Sequence, residues 1–215
     1  MADNGNLASL YIEKDANEIN ATAFQNTGNV HVYSPNADNL ELLCEKIGLS
    51  FTRCTSATNF GVMKSADSVA IIELELSYRA NNPDGVVVMI PSFIDSLPVS
   101  SIAEEAFSEE SIGNKLGSLL SIYIPDTVTN IEMEAFKNCS ALHTVRMSPN
   151  VDYIPREAFY NCKELSVFTW DAESKLVGRL AFGNCVKLTD FDFLNVEKLY
   201  VNSFLGSGVN VVHLG

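Results

Sequence analysis

Cys139, Cys162 and Cys185 stand 23 residues apart, each three residues after an Ala-Phe pair and three before a leucine. The segments are EAFKNCSAL (134–142), EAFYNCKEL (157–165) and LAFGNCVKL (180–188). The phenylalanine column extends further, through Phe107, Phe136, Phe159, Phe182 and Phe204, with spacings of 29, 23, 23 and 22. Self-similarity at a fixed short period is the mark of a repeat architecture. A unit of this size cannot bury its own apolar face, so the units must stack and share one core. That requirement constrains the fold more than any other feature of the chain.

Each unit opens alike: LLSIYIPDTVTNI, LHTVRMSPNVDYI, LSVFTWDAESKLV and LTDFDFLNVEKLY. Apolar residues alternate over the first six positions, which predicts a short strand with one buried face. Ile122/Ile124, Val145/Met147, Phe168/Trp170 and Phe191/Phe193 point inward. Pro125 and Pro149 end the pairing, because proline donates nothing to a ladder. A second short extended piece follows, and the Ala-Phe segment is expected to make a helical turn back to the next strand. The stacked units then form a solenoid with a parallel sheet along one side.

The cysteines read as core residues, since cysteine packs as a small hydrophobe. A zinc site needs ligands converging on one point, often as close pairs; one cysteine per repeat forms a line instead. Parallel Cβ vectors suit a disulfide poorly. Cys44 and Cys54 lie outside the ladder.

The pattern I-P-x-x-V-x-x-I-x-x-x-A-F-x-x-C-x-x-L, carried by residues 124–142, resembles the BspA-like group of leucine-rich repeat proteins. The resemblance implies an α/β fold: a leucine-rich repeat solenoid with a strand sheet on one side, short helical turns on the other and a capping β-hairpin at its start. Residues 86–107 resemble the first repeat of such an array. ADSVAIIELELSYRANNPDGVVVMI resembles the capping hairpin, its two apolar runs flanking Asn-Pro-Asp-Gly, a strong turn signal. Repeats are expected near 86–118, 119–141, 142–164, 165–187 and 188–208, with a partial one at 209–215. Repeat four lacks the Ile-Pro and repeat five the Cys, so irregular turns are expected there.

Residues 7–24 read as one further repeat: Leu10 and Ile12 match the strand core, Ile19 the second segment, and Ala23-Phe24 the pair. NVHVY follows as a strand. DNLELLCEKIGLSF then reads as an amphipathic helix, N-capped by Asp38, with Leu40, Leu43, Cys44 and Ile47 on one face. In the resembled family such a helix closes an array. Residues 1–54 are thus expected to be the end of one array, 55–67 a polar linker, and 68–215 a capping hairpin and the beginning of another. VNVVHLG begins a strand at 209–214 and stops. Residues 7–12 would continue it, within one chain or between chains head to tail; the third reading is two frayed ends. Five strand steps span roughly 25 Å and a 13-residue linker reaches about 43 Å, which leaves both docking versions open.

The net charge of −13 repels phosphate backbones and argues against nucleic acid. No run of about 18 apolar residues occurs. MADNGNLASL has neither a basic n-region nor an apolar h-region, so it does not read as a signal peptide. No glycine-rich phosphate loop or H-E-x-x-H motif appears. His31, His143 and His213 fall at unrelated repeat positions, and Glu104/Glu105 and Glu109/Glu110 read as solvated turns. The expectation is a protein without catalytic residues, metal or cofactor.

Binding is expected on the outward face of the strands, where alternation places Ser121 and Tyr123, Thr144 and Arg146, Val167 and Thr169, Asp190 and Asp192, and Val211 and His213. The candidate contact residues are Tyr11, Tyr123, Thr144, Arg146, Thr169, Asp190, Asp192 and His213. Tyrosine and arginine are enriched at hot spots, and Asp190 with Asp192 would add an acidic patch. Members of the resembled family are largely surface or secreted proteins implicated in adhesion. The implied partner is therefore a protein, of host-matrix or cell-surface type, met outside the cell. The alternative is a structural protein that assembles head to tail through residues 7–12 and 209–214.

Overall fold

The computed structural model describes residues 9–12, 30–34, 40–109 and 118–210. The chain divides into unit 1, residues 1–56, and unit 2, residues 57–215.

Unit 1 has three parallel strands in chain order: β1 (Ser9–Tyr11), β2 (His31–Ser34) and β3 (Ser50–Arg53). Helix α1 (Leu40–Ile47) packs Leu40 and Cys44 against Val32, with Ile12, Leu49 and Phe51 partly buried around them. Gly48 ends the helix at φ 75°, a conformation that costs glycine nothing. Asp38, the expected N-cap, lies outside the described residues.

Unit 2 begins with a 3₁₀ turn, Ala57–Asn59, then β4 (Phe60–Lys64) and β5 (Val69–Leu74), which pair antiparallel. The helix α2 (Leu76–Ala80) intervenes before β6 (Val86–Met89). Two expectations are corrected here. The stretch 55–67 is no linker, since the 3₁₀ turn and β4 together span Ala57–Lys64 and Ala57 packs on the unit 2 core. The hairpin joins 60–64 to 69–74, not 69–74 to 86–90. Its turn is closed by Ser65: the Ser68 N–H donates to Ser65 Oγ at 3.1 Å, and Ser65 Oγ donates to Asp67 Oδ1 at 3.0 Å. Asn-Pro-Asp-Gly instead connects α2 to a strand of another sheet.

The repeats follow, the first four each giving one strand to a parallel sheet β6–β9–β11–β13, where β9 is Leu119–Tyr123, β11 Thr144–Arg146 and β13 Val167–Thr169. The second extended pieces are β8 (Leu97–Ile102), preceded by its antiparallel partner β7 (Phe93–Ile94), then β10 (Asn130–Ile131), β12 (Tyr153–Ile154), β14 (Lys175–Val177) and β15 (Val196–Leu199). They form the sheets β4–β5–β8–β10 and β12–β14–β15. The ladder slips between Lys175 and Leu176, in the repeat that lacks Ile-Pro.

The Ala-Phe segments are not helical. Alternate N–H groups point to the next repeat: Phe136 donates to Ala158 O and Asn138 to Tyr160 O, both at 2.9 Å. Those between close local turns, Lys137 onto Glu134 O at 3.0 Å and Cys139 onto Phe136 O at 3.3 Å. This alternation requires left-handed residues, and Glu134, Asn138, Glu157, Asn161, Leu180 and Asn184 all have φ between 55° and 64°. Asparagine tolerates that region; leucine and glutamate pay of order 1 kcal/mol for it. The bonds between repeats hold them there.

The core is a stack of rings. Phe107 and Phe136, Phe136 and Phe159, Phe159 and Phe182, and Phe182 and Phe204 lie with centroids 5.2, 4.9, 5.5 and 5.2 Å apart and planes within 12°.

Candidate functional site

The sheet β6–β9–β11–β13 fixes which outward residues are neighbours. Ser121, Thr144 and Val167 share one row, and Met89, Tyr123, Arg146 and Thr169 the next. Adjacent strands lie about 4.8 Å apart, so the side chains of a row form one continuous surface. Arg146 and Thr169 are exposed, and Tyr123 and Thr144 are half-buried. The Thr144 hydroxyl lies 3.3 Å from His143 Nδ1. No ion pair or side-chain hydrogen bond joins the Arg146 guanidinium to any described residue. By contrast Lys64, Arg79, Lys137, Arg156, Lys175 and Lys187 are all ion-paired.

Asp190 and Asp192 do not extend these rows. Both are exposed, but residues 190–193 form no strand. Asp192 instead accepts from the Leu194 N–H at 2.9 Å through Oδ1 and from Lys175 Nζ at 3.0 Å through Oδ2. These bonds hold its carboxyl below the usual range, the Leu194 N–H most of all. An aspartate that binds its own backbone two residues on makes a turn rather than a strand. Phe191 nonetheless stays buried. Tyr11 pairs through its backbone with Tyr33 of β2 in unit 1. His213 lies outside the described residues, as do 211–215 of the expected last strand.

All five cysteines are free and buried. Cys139, Cys162 and Cys185 each direct Sγ at the carbonyl of a phenylalanine one repeat earlier, at 3.1, 3.2 and 3.1 Å. Burial pushes the Cys185 and Cys54 thiols up to about 12 and raises that of Cys162 well above its ordinary value. The thiolate is the reactive form, so these thiols are packing groups. His31 is bound to Thr52 Oγ1 at 2.7 Å and lies against the Tyr33 ring.

Two buried charges went unrecognised in the sequence. Arg79 of α2 is 1% exposed and donates through Nη2 to Glu109 Oε1 at 2.8 Å. The same oxygen accepts the Leu119 N–H at 3.0 Å, so Glu109 is no solvated turn residue. Lys175, also 1% exposed, sits beneath Asp192 with Nζ 5.7 Å from the centre of the Trp170 ring. The missing Ile-Pro of repeat four was the one signal at Lys175; Arg79 had none.

With this geometry the chain can be placed in its class, the leucine-rich repeat proteins. The family model for the BspA type leucine rich repeat region matches residues 100–214 in six copies, and the chain belongs to that family. Repeats of this family are protein-interaction modules. The leucine-rich repeat protein of T. pallidum, TpLRR, is similar at 25% identity and a TM-score of 0.58, covering 71% of this chain and 66% of its own. A leucine rich cell surface protein of Faecalibacterium prausnitzii A2-165 is 26% identical with a TM-score of 0.48, over 62% of this chain and 35% of that one. The chain thus spans less than two thirds of either relative. No curated protein matches it. Among the described residues no helix is long and apolar enough to cross a membrane.

Proposed function

We propose that the chain is a non-catalytic recognition module of the adhesion type, working at a cell surface or outside the cell, and that it grips a protein through the outward face of β6–β9–β11–β13. Arg146 carries this reading. It lies on a central strand, in register between Tyr123 and Thr169, exposed and with its guanidinium bound to no described residue. Arginine and tyrosine at the centre of a flat surface are the residue types that dominate binding energy. In a chain of net charge −13 an unpaired cation there also selects for a partner with local negative charge.

The test is surface plasmon resonance of the chain against purified extracellular-matrix proteins, beside Tyr123→Ala/Arg146→Glu. Saturable binding that the double variant weakens at least about tenfold, roughly 1.4 kcal/mol or more, supports the reading. Equal binding by both removes the face, and binding by neither removes the matrix-adhesion reading.

A further inference from the structure

We infer that the outward face of the sheet β12–β14–β15, with the recess at the start of its strands, is a docking surface for an extended basic segment of a partner protein, one that carries an arginine or lysine with an apolar residue two positions away. The inference stands apart from the sheet-face reading above, since it concerns another sheet and a segment of the opposite charge.

The recess opens where one core column breaks. At a step of 23, Val128, Val151 and Ser174 hold the same place in successive repeats. The two valines are 0 and 1% exposed, whereas Ser174 is half-buried. A serine fills less of a packed column than a valine does. Beneath it the Trp170 indole takes part of the space, its Nε1 donating to Val151 O at 2.7 Å. What remains is an open recess of about 340 Å³, with Pro149, Asp152, Asp171, Glu173 and Ser174 in its lining. That is the small end of ligand sites and fits a side chain better than a cofactor.

Charge complementarity selects what enters. Asp152, Asp171 and Glu173 are exposed around the recess, and no described lysine or arginine is ion-paired with any of them. Lys175, next in the chain to Ser174, turns its ammonium to Asp192 instead, at 3.0 Å. The described carboxylates do not converge as a metal site would. Spread around a recess, they suit a guanidinium or ammonium carried on a chain, whose several N–H donors face different sides. The net charge of −13 draws such a segment in from a distance.

The sheet beside the recess selects its neighbour. Leu176 N–H donates to Asp152 O at 2.8 Å, which ties the rim to the strands. On the outward face Tyr153 of β12 is in register with Leu176 of β14. Tyr153 is 39% exposed and Leu176 half-buried. The Tyr200 ring stands edge-on to Tyr153, with centroids 6.2 Å apart, and the Lys198 ammonium covers it at 4.4 Å. Tyr200 thus already holds a cation, and Tyr153 with Leu176 offers the apolar contact. Rim residue Asp152 and platform residue Tyr153 are consecutive. In an extended peptide, side chains two residues apart point the same way and stand about 6.7 Å apart. A basic residue in the recess therefore sets its second neighbour over Tyr153.

The experiment follows the amide shifts of the isotope-labelled full chain as the peptide acetyl-Ser-Arg-Ser-Tyr-Ser-amide is added. Two controls run beside it: the same peptide with Glu for Arg, and acetyl-arginine amide alone. Salt of about 0.15 M screens the general acidity of the chain beyond about 8 Å. The expected result is saturable shifts at Asp152, Tyr153, Asp171, Glu173 and Leu176, with a Kd of about 1 mM or tighter. Both controls, and the peptide on Asp171→Lys/Glu173→Lys, should bind at least about tenfold more weakly. Arg146→Glu should bind the peptide like the native chain. No saturation at that Kd, shifts scattered over other acidic surfaces, equal binding of either control, or binding untouched by the lysine variant overturns the inference. Should the lysine variant lose its native spectrum, Asp171→Asn/Glu173→Gln carries the test, with binding at least about threefold weaker.

Discussion

The thiol of Cys162 reaches back 26 residues to the carbonyl of Phe136, at 3.2 Å. That oxygen already receives the Cys139 N–H in a local turn. The cysteine therefore packs as a small apolar group and also supplies a weak donor between repeats, which alanine cannot. Replacing Cys162 by alanine should lower stability by about 1–3 kcal/mol through lost packing and the lost donor. Urea unfolding with a changed midpoint and unchanged slope is the check. Maleimide labelling of the native chain should leave Cys162 unmodified until it unfolds.

The pair Arg79–Glu109 should show strong asymmetry between single and double changes. Removing one partner strands a buried charge, and Arg79→Ala or Glu109→Gln should each cost about 3–5 kcal/mol. The double change Arg79→Met/Glu109→Met should cost much less, because no charge remains in the interior. A double-mutant cycle in urea measures the coupling. Singles and double that simply add would show that the two groups do not depend on each other.

Acid stability should depend on Glu134. Lys137 Nζ lies 2.8 Å from its carboxylate and Arg156 Nη2 2.9 Å, and the Lys137 bond first of all holds its proton affinity below the ordinary value of 4.5. A carboxyl depressed in the folded state stabilises above its unfolded value, and the contribution is lost as pH falls through the folded one. Glu134→Gln should flatten the acid limb of the stability curve below about pH 5. The same contact raises the Lys137 ammonium, so its contribution is complete below the ordinary 10.5 and fades above it. Thermal melts from pH 2 to 11 read both limbs.

Lys175 should tolerate an apolar replacement better than truncation. Its stem lies buried, with its ammonium near the Trp170 ring and the Asp192 carboxylate. Lys175→Met keeps the stem packing and removes the cost of the buried charge, so it should change stability by no more than about 1 kcal/mol in either direction. Lys175→Ala should cost about 2–3 kcal/mol from lost packing. Melting temperatures compare them, and a methionine variant as damaged as the alanine one would show that the charge itself is required.

Periodicity made the stack legible. Phe136, Cys139 and Leu142 recur at one step, and a column that recurs must run through a common core, as the ring stack shows. Alternation likewise placed Ile122 inward and Tyr123 outward, and the register brings Tyr123, Arg146 and Thr169 into one row. The Ala-Phe segments were misread as helical because their backbone bonds alternate between local turns and the next repeat, a choice invisible in one unit alone. Asp192 was placed on the sheet face because alternation is blind to a carboxylate that caps its own turn and a lysine on the neighbouring strand.

Local pattern thus sets the repeat, its inward columns and its family, because a period of 23 is a property of neighbours along the chain. What depends on groups far apart along the chain came only with the three-dimensional arrangement. Phe60–Lys64 pairs with Val69–Leu74 and consumes the expected linker; Arg79 finds Glu109 thirty residues on. Hydrogen bonds and buried charges are satisfied by whatever lies nearest in space, and in a stacked chain the nearest group sits on the next repeat.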